Sequence, residues 1–228
     1  LDESAYIDLV AFGTVADVAP LQDENRTMVV AGLEQMAKGM RPGIEALADV
    51  SRVAQSDITA ETFGFAFGPR VNAAGRLAHA NTALELLLSK TKAEANRHAQ
   101  TLESLNQDRR EKTDQAYALA EELYGASDDP LIMVGDEAME SGIVGIVAAR
   151  LADKHHRPAI VFEKGATTSR ASCRTIPEFD IVSAIRREKD LLVRHGGHRA
   201  AAGFTIANEN IDEFRARLVN YAAEILDE

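Results

Sequence analysis

The apolar positions of this chain change their spacing once, near residue 125. Before that point they recur at three- and four-residue intervals, the period of an amphipathic helix. Leu1 to Ala19 reads as an apolar helix carrying Ile7, Leu9, Val10 and Ala11 and running into a turn closed by Pro20. A second helix is expected from about Glu24 to Met36. A third covers Gly43 to Val50, with Pro42 in its first turn, where a missing N–H costs nothing. Thr59 is placed to cap a short segment reaching Phe67, which Gly68-Pro69 should break. Asn81 to Leu88 is another short helix. From Lys92 to Tyr124 no Pro or Gly occurs, and Leu102, Leu105, Ala116, Ala120 and Leu123 recur among many charges. That pattern predicts one long solvated helix of roughly 50 Å at 1.5 Å per residue.

After Gly125-Ala126-Ser127-Asp128-Asp129-Pro130 the apolar runs shorten. Leu131 to Val134 and Ala159 to Phe162 read as strands flanking a helix from Ser141 to His155. Thr167 to Cys173 adds a strand, Ile181 to Arg187 a helix, and Gly203 to Ile206 another strand. Asn210 to Leu226 is a strongly amphipathic closing helix. The fold class is therefore α/β: a mostly helical first lobe, a long connecting helix, and a small α/β second lobe with a central mixed sheet.

Composition narrows the function classes. The 228 residues are 46% hydrophobic and 27% charged, ordinary for a globular protein, and no apolar run approaches a membrane span. A formal net charge of -11 argues against indiscriminate coating of nucleic acid but leaves room for a local cationic groove. Arg186, Arg187, Lys189, Arg194, His195, His198 and Arg199 lie close together, against only Glu188 and Asp190; a solvated helix end is the simpler account. The single Cys173 excludes an internal disulfide and fits a reducing, cytoplasmic setting.

Three stretches carry candidate chemistry. In His195-Gly196-Gly197-His198-Arg199-Ala200-Ala201-Ala202-Gly203-Phe204, bare backbone alternates with cationic donors, which suits either a phosphate cradle or a tight glycine turn into a strand. In Gly68-Pro69-Arg70-Val71-Asn72-Ala73-Ala74-Gly75-Arg76-Leu77, two arginines flank an Asn and small residues; it reads as a loop that grips phosphate or pairs with surface carboxylates. In Ser169-Arg170-Ala171-Ser172-Cys173-Arg174-Thr175, period two puts Arg170, Ser172 and Arg174 on one face, as a pocket for one phosphate or as a solvated sheet face. Asp17 is a lone carboxylate in an apolar segment, while Asp153, His155 and His156 read as the polar end of a helix rather than a metal site. There is no Walker loop, dinucleotide fingerprint, Cys pair or nucleophile elbow.

Taken together, TVADVAPL, GPRVNAAGRL, SGIVGIVAARL followed by HRPAIVF, and HGGHRAAAGF, in that order, resemble the RecJ-type single-strand-specific exonucleases of the DHH phosphoesterase superfamily, from about Leu9 to the closing helix. The resemblance implies the C-terminal part of a DHH catalytic domain over residues 1–90, a connecting helix over 91–124 and a DHH-associated substrate-binding domain over 125–228. It implies 5′-to-3′ hydrolysis of single-stranded DNA in repair and recombination, with Mn2+ or Mg2+ in the full-length enzyme. By the same resemblance Asp17 is a metal ligand, Arg70, Asn72 and Arg76 face DNA, and Ser172 and Arg174 form a 5′-phosphate pocket. Gly196, Gly197 and His198 correspond to the glycine-rich substrate signature.

Two departures qualify the resemblance. The family's Asp-His-His triplet and earlier aspartates fall ahead of Leu1, so this chain alone is expected to bind single-stranded DNA without cleaving it and to hold no metal. Met139-Glu140 stand where the family carries an aromatic and a His. The expected partners are single-stranded DNA and a helicase or single-strand-binding protein, with no membrane and a monomeric state. The alternatives are a DHH phosphoesterase for short oligonucleotides or cyclic dinucleotides, and a non-catalytic nucleic-acid-binding module.

Overall fold

The computed structural model describes residues 3–125 and 127–226. Leu1 and Asp2 of the first expected helix, Ala126 of the expected turn, and Asp227 and Glu228 lie outside the described residues. The chain divides into two compact units, Leu1–Arg109 and Arg110–Glu228.

The first unit is helical: α1 (Ile7–Ala16), α2 (Asp23–Lys38), α3 (Pro42–Ser51), α4 (Ala60–Thr62), α5 (Gly68–Leu77), α6 (Asn81–Leu88) and the first turns of α7 (Lys92–Tyr124). α1 and α2 pack closely because Gly32 has no side chain; a Cβ there would sit 2.6 Å from the Ile7 carbonyl oxygen. Asp8 is buried, yet it is satisfied by the Arg41 fork, whose Nε and Nη2 each donate at 2.6 Å. Phe12, Phe63 and Phe67 meet at the centre with ring centroids 5.7 to 6.2 Å apart, beside Ile44, Leu47, Leu86 and Leu102.

Thr59 does cap, its hydroxyl accepting from the Thr62 amide in a capping box. The break expected at Gly68-Pro69 does not occur, and the arginine stretch expected as a loop is α5. Phe63–Phe67 instead winds as a π-helix that runs directly into α5. A proline inside an α-helix clashes with the carbonyl four residues back. The wider π turn ahead of Pro69 relieves that clash, so the backbone stays helical.

The second unit contains a five-stranded mixed sheet of order β1-β2-β3-β5-β4. Its strands are β1 (Ile132–Asp136), β2 (Ala159–Lys164), β3 (Thr168–Arg174), β4 (Leu192–His198) and β5 (Ala201–Ala207). β1 and β2 are parallel and joined by α8 (Val144–His155), the expected strand–helix–strand unit; every other pair is antiparallel. One face buries Met133, Ile160, Phe162, Cys173 and Phe204 against α9 (Ile181–Arg187) and α10 (Ile211–Leu226), where Phe214 lies 4.8 Å from Phe204. α8 packs on the other face, over β2 and β3. Burial pushes the Cys173 thiol pKa up, so it is an inert core residue.

Later turns of α7 bury Ala116, Ala120 and Tyr124 and are tied to α8 by charge. Glu121 accepts from Lys154 Nζ at 2.8 Å and pairs with His155 Nε2 at 3.0 Å, and Arg150 donates to Asp114 at 2.6 Å. Burial raises the Glu121 pKa, but hydrogen bonds from Lys154, Tyr117 and His155 outweigh it and bring the carboxyl down to about 2. A depressed carboxyl stabilises the fold above its ordinary value and loses that contribution as pH falls towards the folded value. Glu121→Gln should therefore cost about 1–2 kcal/mol in urea unfolding at pH 7. The gap between variant and parent should narrow between about pH 4.5 and 2; a gap independent of pH would show that the carboxylate charge contributes nothing.

Candidate nucleic-acid interface

Register decides what the α8 face of the sheet presents. Cross-strand partners share a face, so three rows run across β3, β5 and β4. The first is Arg170, Thr205, Arg194; the second Ser172, Gly203, Gly196; the third Arg174, Ala201, His198. The middle row has almost no side chains, and the rows beside it carry cations. The result is a trough across the strands, with a cavity of about 480 Å³ lined by Arg170, Arg194, Gly196, Gly203 and Thr205.

The two ends of the trough differ. At β3 the first turn of α8 closes over it. A Cβ on Gly145 would lie 3.4 Å from Arg174 Nη2 and 3.5 Å from Ser172 Oγ, which the bare glycine leaves uncrowded. At β4, the sheet edge, every residue from Val193 to His198 is exposed. The stretch from His195 to Phe204 is thus a hairpin: the end of an edge strand not foreseen from sequence, a turn at Arg199-Ala200, and the start of β5. The turn into β5 is there, but at Arg199-Ala200, and the two glycines expected in it lie within β4 instead.

Several cations elsewhere in the second unit are neutralised. Arg150, Lys154, Arg215 and Arg217 all pair with carboxylates, Arg217 with three of them. Two of those three are Glu188 and Asp190, the only acids in the basic stretch. Arg187 lies over Tyr221, 4.4 Å from the ring centroid, within the helical layer. Among the described residues, Arg170, Arg174 and Arg194 make no ion pair, although Glu163 is the cross-strand neighbour of Arg170. Arg174 donates only to the Cys173 carbonyl, at 2.8 Å. Leaving three arginines unpaired in a chain of net charge -11 favours an anionic guest.

The structure brings Ser172, Arg174, Gly196 and His198 together on one sheet face. Gly197 belongs to the opposite parity, at φ +144°. Arg170 joins the site as period two indicated, and Arg194, Gly203 and Thr205 join it without having been singled out as site residues. Counting by two from Ser172 reaches Arg170, and Arg194 and Gly203 lie beside or within the glycine stretch, so the missing information was strand register.

In the first unit, α5 separates the residues that sequence had grouped. The Arg70 side chain is only 12% exposed, paired through Nε with Glu103 of α7 and donating through Nη1 to the Ala66 carbonyl. Asn72 and Arg76 are exposed. Asp17 is exposed at the carboxyl end of α1, followed by Val18 in the left-handed region at φ 59°. A carboxylate at that end of a helix is opposed by the helix dipole, which a bound cation would relieve. The donor set does not complete a metal site, however: among the described residues no three His, Cys, Asp or Glu are grouped to hold an ion, and Mg2+ requires octahedral coordination.

Comparison with known proteins finds relatives for both the sequence and the fold. Residues 128–224 match the DHHA1 domain. The single-stranded-DNA-specific exonuclease RecJ of Dickeya dadantii is 39% identical over 97% of this chain and 40% of its own length. RecJ of Bacillus subtilis is 36% identical over 97% of the chain and 29% of its own length. The crystal structure of RecJ in complex with Mg2+ from Thermus thermophilus superposes with a TM-score of 0.89 at 34% identity, covering 98% of this chain and 35% of that one. The chain spans 29–41% of the length of its curated relatives.

The two adjacent glycines should respond oppositely to a methyl group. A Cβ at Gly197 would lie 2.5 Å from the Ala201 carbonyl oxygen in a positive-φ backbone, whereas one at Gly196 meets nothing within 4 Å. Gly197→Ala should lose about 2 kcal/mol or more in thermal or urea unfolding, with Gly196→Ala within about 0.5 kcal/mol of the parent. Equal losses would contradict the register described for β4.

Proposed function

We propose that this chain, whose residues 128–224 match the DHHA1 domain, is a RecJ-type protein and forms the substrate-gripping portion of an exonuclease that hydrolyses single-stranded DNA from its 5′ end. The observation that carries this reading is the trough across β3, β5 and β4, closed by α8 at one end and open at the sheet edge at the other. A trough open at both ends would accept any internal stretch of polymer. One blocked at Ser172 and Arg174 favours a strand terminus.

In this reading the strand enters at the β4 edge and its backbone lies along the Ser172, Gly203, Gly196 row, where no side chain stands in the way. Arg170 and Arg194 flank it on one side and His198 on the other. The terminal phosphate meets the Arg174 guanidinium and the Ser172 hydroxyl, a charge-assisted contact stronger than one between neutral groups. The open edge favours a polymer over a cyclic dinucleotide, which has no end to seat. In the first unit the exposed Asn72 and Arg76 would contact the backbone, and Arg70 would join them only by releasing Glu103.

Hydrolysis in the whole enzyme would use divalent ions to activate water and stabilise the leaving oxygen. Asp17 would contribute one ligand; the described residues do not complete the set, and we assign no step of bond cleavage to this chain. We further propose a role in DNA repair and recombination, manganese as one usable ion, a cytoplasmic location, a monomeric state, and a helicase or single-strand-binding protein as the source of the strand. Among the described residues no helix is long and apolar enough to cross a membrane.

Fluorescence anisotropy at low salt tests the grip. A 5′-phosphorylated oligonucleotide should bind more tightly than its 5′-hydroxyl twin, with affinity falling steeply as salt rises. Arg174→Ala should abolish the preference for the phosphate; a preference that survives removes Arg174 from the pocket. Gly196→Val projects into open space, so it should fold normally yet weaken binding by roughly tenfold or more, as a blocked trough requires. Undamaged affinity in that variant would place the strand elsewhere.

A further inference from the structure

Of the eight phenylalanines in the chain, seven are buried and Phe65 is 80% exposed. Its neighbours in the π-helix make the contrast sharper. Phe63 and Phe67, two residues to either side, are fully buried against Phe12. The segment spends two rings on the core and turns the third to solvent. π turns are uncommon and recur at functional sites.

The helix that follows the ring turns polar side chains to solvent. Pro69, Asn72 and Arg76 follow Phe65 along the continuous helical path, and Asn72 and Arg76, four residues apart, share one face of α5. Asn72 and Arg76 are exposed, and a Cβ on the neighbouring Gly75 would meet nothing within 4 Å. At about 1.5 Å per residue, Asn72 lies about 10 Å and Arg76 about 16 Å along the helix from the ring. A protein partner needs a broad apolar surface of some 800 Å² on each side. A lone phenyl ring followed by an amide, a bare backbone position and a guanidinium fits a nucleobase and the backbone attached to it.

We propose that Phe65 is a base-stacking platform for single-stranded DNA, with Asn72 and Arg76 on the same face meeting the sugar–phosphate backbone beyond it. The proposal rests on the reading of this chain as a binder of single strands. It adds a second kind of contact: the sheet trough grips phosphate, whereas Phe65 grips a base irrespective of sequence. It also accounts for an exposed phenylalanine that no packing in the first unit uses.

The test pairs base-bearing and abasic oligodeoxynucleotides, about twelve residues long, within the range of known single-strand site sizes. Phe65→Ala should weaken binding of the base-bearing strand by roughly 5- to 50-fold and leave the abasic strand unaffected. Asn72→Ala should weaken both alike. Because the chain contains no tryptophan, Phe65→Trp creates a single reporter, whose emission should be quenched by oligodeoxythymidylate while binding is retained.

Parental affinity in Phe65→Ala, or unchanged Phe65→Trp emission at saturating DNA, overturns the proposal. A lowered melting temperature in Phe65→Ala also overturns it, by marking the ring as part of the fold. Loss of binding in Gly196→Val with none in Phe65→Ala overturns this inference alone. Failure of the parent chain to bind any oligonucleotide overturns the functional reading with it.

Discussion

The register of β3 between β2 and β5 is the constraint on which the rest of the second unit depends. Side chains alternate across a strand, so a slip of one residue would exchange its faces. Ala171 and Cys173 would leave the core under α9 and α10, and Arg170, Ser172 and Arg174 would enter it. Such a state would bury two guanidinium groups with no carboxylate to meet them, at a cost far above that of losing two small apolar side chains. The same alternation on β5, with Ala202, Phe204 and Ile206 inward and Gly203 and Thr205 outward, holds the register from the other side. Core packing and the binding face are therefore two readings of one alignment.

Electrostatics then sorts the cations. In an acidic chain arginines and lysines readily find carboxylates, and the network of Glu121, Lys154 and His155 shows how completely such pairs can be satisfied. Arg217 draws in Glu188 and Asp190, which would otherwise face the basic stretch. Arg170, Arg174 and Arg194, on the trough face, are among the cations without such a partner. A cationic groove on a chain of net negative charge disfavours casual adsorption of polyanions while keeping a local attraction, a selectivity that a uniformly basic protein cannot achieve.

Much of the architecture was legible along the chain because helical periodicity is a local signal. α6, α7 and α9 begin and end where the pattern indicated, and the strand–helix–strand unit followed from two apolar runs and the amphipathic stretch between them. β4 was not legible: it is exposed on both faces and interrupted by two glycines, so it has no alternation to detect. The continuity of α5 through Pro69 was hidden because a π turn leaves no mark in the spacing of apolar residues. Arg70 illustrates a different limit. Its partner, Glu103, lies thirty-three residues away, and nothing in the GPR stretch distinguishes an arginine held by a carboxylate from one offered to a ligand. The sheet face was half legible: period two grouped Arg170, Ser172 and Arg174, but their neighbours on β5 and β4 required the pairing.

The edge strand carries a further consequence. An open sheet edge is a template on which another chain can add a strand, the usual beginning of runaway self-association. β4 meets that hazard with a register shift between Leu192 and Arg194, paired glycines that weaken its hold on an extended conformation, and charged or ionisable side chains along its length. These are also the features that leave the trough unobstructed at its mouth. The protein can keep an unprotected, water-facing strand because the traits that hold the trough open are those that refuse a second polypeptide strand.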